Sequence, residues 1–159
     1  MTICYMESPV GRLALEAEGD ALSGVRWAER GERASPGKKA GQLPPILKEA
    51  RRQLERYFAG RLRTFDLKLA PRGTDFQKRV WNMMNDIPYG ETATYGGIAR
   101  ALASGARAVG TACGRNPLPI VVPCHRVLGS GGSGGGYSGG QGLRTKHKLL
   151  ALEGVTLSP

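Results

Sequence analysis

Thr94-Tyr95-Gly96-Gly97-Ile98-Ala99-Arg100-Ala101-Leu102-Ala103-Ser104-Gly105-Ala106-Arg107-Ala108-Val109-Gly110-Thr111-Ala112-Cys113 reads as two short helices joined by a tight turn. Thr94 is placed to cap the first, Tyr95 to Ala103. Ser104 is placed to cap the second, which turns Ala106, Val109 and Cys113 to one side. Two such helices around Ser104-Gly105 follow the helix-turn-helix pattern. Residues 71–159, which contain them, carry 10 basic and 4 acidic side chains, +6; residues 1–70 carry 13 and 9, +4. The total of +10 is either a solvated basic surface or a field that steers and holds a polyanion, and the helix pair favours nucleic acid. No helix pairs a lysine-rich face with an aromatic one, so membrane-surface binding is not expected.

Upstream of this pair, Thr74 and Gln77 form a capping box, and Phe76, Val80, Trp81 and Met84 give the next helix its apolar face. Ile87-Pro88-Tyr89-Gly90 ends that helix in a turn. Further back, residues 2–28 read as short strands punctuated by Ser8-Pro9-Val10-Gly11 and Glu18-Gly19-Asp20. Arg30 to Gly41 is a polar loop. Ile46, Leu47, Ala50, Leu54, Tyr57 and Phe58 recur at helical spacing until Gly60. Phe65, Leu67 and Leu69 alternate as a half-buried strand, and Pro71-Arg72-Gly73 reads as a joint between halves.

Downstream, Asn116-Pro117-Leu118-Pro119 breaks the helix and leads into Ile120-Val121-Val122, a β-branched, strand-like run. Pro123-Cys124-His125-Arg126-Val127 follows, and then eight glycines in the twelve positions from Gly129 to Gly140. A last helix spans roughly Thr145 to Glu153, buries Leu149, Leu150 and Leu152, and is capped by Gly154.

The chain of 159 residues, 40% hydrophobic and 23% charged, fits one compact domain or two small packed ones. Its longest apolar run, Leu118 to Val122, contains Pro119 and falls far short of the ~18 residues of a membrane helix. The first residues carry no basic region followed by an apolar core, so a cytoplasmic location is expected, associated with the nucleoid in a prokaryote. Three cysteines, at 4, 113 and 124, make no disulfide framework, and with histidines only at 125 and 147 no metal site is expected.

Gly129, Gly131 and Gly134 match G-x-G-x-x-G, yet no helix starts until about residue 145, so a dinucleotide site is not expected. The stretch is either a flexible loop or a wall over an active site. Cys4 and Cys113 read as small buried hydrophobes. Cys124 differs, because a nucleophilic thiol needs a base or positive field and His125 is adjacent. The carboxylate that orients the histidine is one of Asp75, Asp86, Glu91 and Glu153. His147, among Arg144, Lys146 and Lys148, reads as solvated.

These motifs, in this order, resemble the O6-alkylguanine-DNA alkyltransferases. The likeness rests on Pro123-Cys124-His125-Arg126-Val127, Asn116-Pro117 and Tyr137-Ser138-Gly139-Gly140. Ile87-Pro88-Tyr89-Gly90-Glu91-Thr92, Tyr95, Arg107-Ala108-Val109-Gly110 and Leu149-Leu150-Ala151-Leu152-Glu153-Gly154 extend it over residues 60–156. The resemblance implies that Cys124 accepts the alkyl group, that His125 removes its proton through a water, and that Glu153 polarises the histidine. It makes Asn116 the brace of the turn around the cysteine and Tyr95 the residue that helps rotate the nucleotide and protonates or hydrogen-bonds the base. Arg107 would enter the stack vacated by the flipped base, with Tyr95, Ser104, Ala106, Thr111 and Arg115 at the DNA. Val127, Tyr137, Ser138 and Gly139 would hold the guanine. The zinc site of some relatives is not matched here, and no cofactor is implied.

The expected fold is therefore α+β: a small N-terminal sheet-plus-helix domain, residues 1–70, and a mostly helical C-terminal domain with a helix-turn-helix, residues 71–159. The expected function is direct reversal of DNA damage by a monomer. It transfers the alkyl group of O6-alkylguanine, and of O4-alkylthymine, irreversibly to Cys124 in double-stranded DNA, with base flipping and a single turnover. Two rivals remain: a lesion-binding DNA protein without transfer, and a thiol hydrolase acting on a small acyl substrate.

Overall fold

The computed structural model describes residues 1–32 and 43–157. Most of the Arg30–Gly41 loop lies outside them. Two compact units emerge, Met1–Arg72 and Gly73–Pro159. The fold is α+β.

In the first unit, β1 (Thr2–Met6), β2 (Leu13–Glu18) and β3 (Ala21–Trp27) form an antiparallel sheet in the order β1-β2-β3. Helix α1 (Pro45–Phe58) covers it, starting on a proline whose fixed φ suits the first helical position. Leu47, Ala50, Leu54 and Tyr57 are its buried stripe, packed against β2 and β3. Phe65–Leu69 is not the strand its alternation suggests. It makes one parallel bridge, Leu22↔Leu69, while the Gln53 side chain takes the backbone of Asp66 that a neighbouring strand would otherwise pair.

The second unit begins with α2 (Asp75–Asn85), which carries the Thr74/Gln77 capping box and buries Val80, Trp81 and Met84; Phe76 is only half-buried. β4 (Ala93–Thr94) leads directly into α3 (Tyr95–Ala101), capped by the Thr94 hydroxyl at 2.9 Å from the Gly97 amide. A four-residue turn, with Ala103 in the left-handed region at φ 52°, precedes α4 (Ala106–Gly114). Two expectations fail here. The N-cap of α4 is Gly105, because the Ser104 amide is used to close the α3 end on Ala99 and no side chain caps α4. The buried side of α4 is Val109, Ala112 and Cys113, and Ala106 faces solvent.

The run Ile120–Val122 is a turn rather than a strand. Prolines at 119 and 123 flank it, fix their own φ and restrict the residues before them. Ile120 sits at φ 75° with its side chain fully buried. A β-branched residue there carries strain of about 1–3 kcal/mol. The chain then makes one 3-10 turn, Cys124–Arg126, and enters β5 (Val127–Leu128), which pairs in parallel with β4 through Ala93↔Val127 and Thr94↔Leu128. Helix α5 (Leu143–Leu152) starts two residues earlier than its apolar spacing suggests, and Leu152 is half-buried. It ends in a paired C-terminal cap: Gly154 at φ 81° donates to Ala151, and Val155 donates to Leu150. That cap fixes Glu153 at the helix end.

Candidate active site

Cys124 lines an open pocket of about 770 Å³. Tyr95 from α3, Arg107 and Cys113 from α4, and Tyr137 and Ser138 from the glycine-rich loop share its wall. Pro123, at φ −81° and ψ 69°, is the centre of a tight three-residue turn in which the Cys124 amide donates to the Val122 carbonyl at 2.8 Å. Asn116 clamps the same turn: its amide donates to Val122 O at 2.9 Å, and its carbonyl accepts from the Leu118 amide at 2.9 Å. Burial raises the thiol pKa of Cys124, opposed by hydrogen bonds from Asn116 and Tyr137 and by the charge of Lys146. Burial pushes the second pocket thiol, Cys113, up to about 12, so it stays protonated and does not compete as a nucleophile.

Behind the cysteine, His125 and Glu153 are fully buried and meet at 2.7 Å between Nε2 and Oε2. Arg126 grips the same carboxylate, Nε to Oε1 at 2.8 Å and Nη2 to Oε2 at 3.1 Å, while its Nη1 donates to the Ile87 carbonyl at 2.6 Å. With Glu153 held as an anion, Nε2 of His125 carries the ring proton and Nδ1 is an acceptor. Nδ1 is buried and hydrogen-bonds to none of the described residues. Burial lowers the His125 pKa, partly offset by Glu153, so the ring is neutral near pH 7.

Lys146 is the participant that sequence reasoning missed. It is fully buried and donates to the carbonyls of Val127 and Gly136 (3.1 Å for the latter) and to the Tyr95 hydroxyl at 3.5 Å. Tyr95 in turn donates to Gly136 O at 3.4 Å. One lysine thus ties the cysteine segment, the glycine loop and α3 together. Burial lowers its pKa. The signal was available, since Lys146 stands three and four residues before the buried Leu149 and Leu150, on the same face of α5. The loop passes close over Tyr95 at Gly135, where a Cβ would stand 2.7 Å from the ring and φ is +65°. Only glycine fits there.

The remaining candidates divide. Arg107 and Ala106 are exposed on the first turn of α4 at the pocket edge. Thr111 and Arg115 are exposed further along α4, with Thr111 bonded back to the Arg107 carbonyl. Ser104 is half-buried in the turn. Val127 is buried, and Gly139 is half-buried with its carbonyl accepting from the Gly142 amide. Ser138 bonds to the Gly114 carbonyl at 3.3 Å. Among the described residues no cluster of three or more His, Cys, Asp or Glu could hold a metal ion, and no helix is long and apolar enough to cross a membrane.

A pocket thiol backed by a histidine–carboxylate pair, beside two short helices with an exposed arginine, is the plan of a cysteine-dependent transferase. The family model of the 6-O-methylguanine DNA methyltransferase DNA-binding domain matches residues 75–155, and that of the ribonuclease-like domain matches residues 1–71. The chain is 46% identical to a methylated-DNA–protein-cysteine methyltransferase of Methanosarcina acetivorans, over 97% of this chain and 99% of the relative. It is 45% identical to the protein of that name from Mycobacterium tuberculosis, over 93% and 89%. The crystal structure of Mycobacterium tuberculosis OGT in complex with DNA superposes with a TM-score of 0.83 at 46% identity, covering 96% of this chain and 92% of that one. The chain belongs to the methylated-DNA–protein-cysteine methyltransferase family.

Proposed function

We propose that this protein repairs DNA by moving the alkyl group of O6-alkylguanine onto its own Cys124, once per molecule. The observation that carries the reading is the orientation of His125. Glu153 occupies Nε2, leaving a buried acceptor at Nδ1 on the residue next to Cys124, the thiol that the Asn116-clamped turn holds at the pocket. Nδ1 takes the thiol proton through a water. The sulfur then attacks the alkyl carbon; the S–C bond forms, the C–O6 bond breaks, and its electron pair leaves with the guanine. Tyr95, whose hydroxyl accepts from Lys146, hydrogen-bonds the departing base and supplies its proton, and the thiol's proton on His125 returns through solvent to the tyrosinate. The thioether has no route back to thiol within this site, so turnover is stoichiometric.

The alkylated atom is out of reach inside a duplex, so the nucleotide is flipped into the pocket, and Arg107 fills the gap with a planar cation. Exposed Arg107, Thr111 and Arg115 on α4, with Ala106 and Ser104 at its start, form the DNA face of the helix-turn-helix. The backbone of Val127 and Ser138, with Tyr137 and Gly139, holds the guanine edge. O4-alkylthymine, which presents the same alkyl-oxygen bond, is a second substrate. Residues 71–159 carry both binding and transfer, with the division from 1–70 at the Pro71 joint, and the protein acts as a monomer where the DNA is.

The test is to incubate the protein with a duplex containing O6-methylguanine and weigh its peptides. The expected result is a gain of one methylene on Cys124, none in Cys124→Ala, and retained duplex binding by that variant. Arg107→Ala is expected to lose duplex activity while keeping reaction with the free base. A lesion-binding protein would bind without gaining mass, and a thiol hydrolase would cleave a small ester without DNA.

A further inference from the structure

We infer that Ile120 is a positioning residue for the acceptor cysteine, its buried side chain locking a left-handed turn that presents Cys124. The inference rests on Cys124 being the acceptor. Pro119, Ile120 and Val121 occupy the middle of the five-residue turn closed by the Val122 amide on the Leu118 carbonyl at 2.8 Å. A positive φ within a turn is a place that glycine fills without steric cost. Here the residue is isoleucine at φ 75°, and its side chain is fully buried.

A chain reversal alone is met more cheaply by glycine. The isoleucine adds an anchor, and the anchor bears on one atom. The Val122 carbonyl, two residues on, accepts both the Cys124 amide at 2.8 Å and the Asn116 side chain at 2.9 Å. Prolines at 117, 119 and 123 fix their own φ and restrict the residues before them. That leaves residues 120 and 121 as the joint at which this segment has room to open, and 120 is the one held at a positive φ. Release it, and the Val122 carbonyl shifts together with the turn that aims the sulfur. Ile120 touches no reacting atom; it acts through Val122.

The experiment compares Ile120→Gly, which adopts the same φ freely but lacks the anchor, with Ile120→Val, which keeps a β-branched anchor. Single-turnover transfer from an O6-methylguanine duplex is measured at saturating protein, well below each variant's melting temperature, together with duplex affinity. The expected result is a transfer rate at least tenfold lower in Ile120→Gly, duplex affinity unchanged within twofold, and near-parent transfer in Ile120→Val. Should the glycine variant not fold, Ile120→Ala, which also removes the anchor, carries the same expectation. Transfer at the parent rate in a folded anchorless variant, whatever its melting temperature, overturns the inference. If the parent itself leaves Cys124 unmodified, the reading of the site fails instead.

Discussion

Glu153 holds the ring of His125 at 2.7 Å with the same carboxylate that Arg126 grips at 2.8 Å, all three side chains buried. One acid at the end of α5 thus sets the tautomer of the base and neutralises an interior arginine. Glu153→Gln removes both services while keeping the shape. Breaking a buried pair leaves an uncompensated charge, so the variant is expected to lose about 3 kcal/mol of stability. Transfer should fall roughly 10²-fold, the scale of a displaced general base. Urea denaturation and single-turnover kinetics on one preparation measure the two losses separately.

The pH dependence follows from His125. Burial holds its folded pKa below the ordinary 6.5. Between the two values the unfolded chain binds a proton that the folded chain does not, so stability rises with pH through that window. The contribution is complete above pH 6.5 and is lost as pH falls below it. Urea midpoints measured from about pH 5 to 8 should therefore decline toward acid, and His125→Asn should flatten that decline. A parent curve that stays level across the range would contradict a buried neutral ring.

Much of this arrangement was readable in the residues, and what was not has physical causes. The capping box at Thr74, the apolar stripes of α1 and α2, and the Gly154 stop are local signals, and local signals survive folding. The Ile120–Val122 turn reads as a strand because β-branched propensity describes a half-buried pleated surface, whereas here the positive φ of Ile120 between two prolines breaks the extended backbone. The β4–β5 pair was invisible: two residues from each side, over thirty positions apart, carry no periodicity. In the site, Cys124, His125 and Glu153 stood in recognisable motifs. Lys146 did not, because a lysine in a basic helix reads as solvated until its face is counted against Leu149 and Leu150.

Lys146→Met tests that residue. The methionine fills similar volume but leaves the buried carbonyl of Val127 without its lysine donor and that of Gly136 with Tyr95 alone. A buried carbonyl left unpaired costs about 1–3 kcal/mol, and the glycine loop loses a tie to the cysteine segment. The variant is expected to be cut faster by protease between Gly129 and Gly140 and to transfer at least roughly tenfold more slowly, since Tyr95 loses its polarising partner. Equal proteolysis and equal transfer in parent and variant would reduce Lys146 to a packed bystander.

The last prediction concerns the protein after it has acted. Cys124 is 9% exposed, with Asn116, Lys146 and Tyr137 favouring its thiolate against burial. Alkylation converts that sulfur to a neutral thioether, a weak acceptor, so the groups that favour its thiolate lose that interaction. It also inserts an alkyl group beside a turn that Asn116 and the buried Ile120 hold closed, and overpacking costs about 1–3 kcal/mol. For a chain of 159 residues that corresponds to a melting temperature lower by roughly 3–10 °C. A benzyl adduct should lower it more than a methyl one. Because the 129–140 segment joins the cysteine turn to α5, its peptide bonds should be the first to become protease-sensitive in the alkylated form. Matched thermal melts of the free, methylated and benzylated protein measure the effect. Identical curves would mean that the 770 Å³ pocket absorbs the adduct without disturbing the turn.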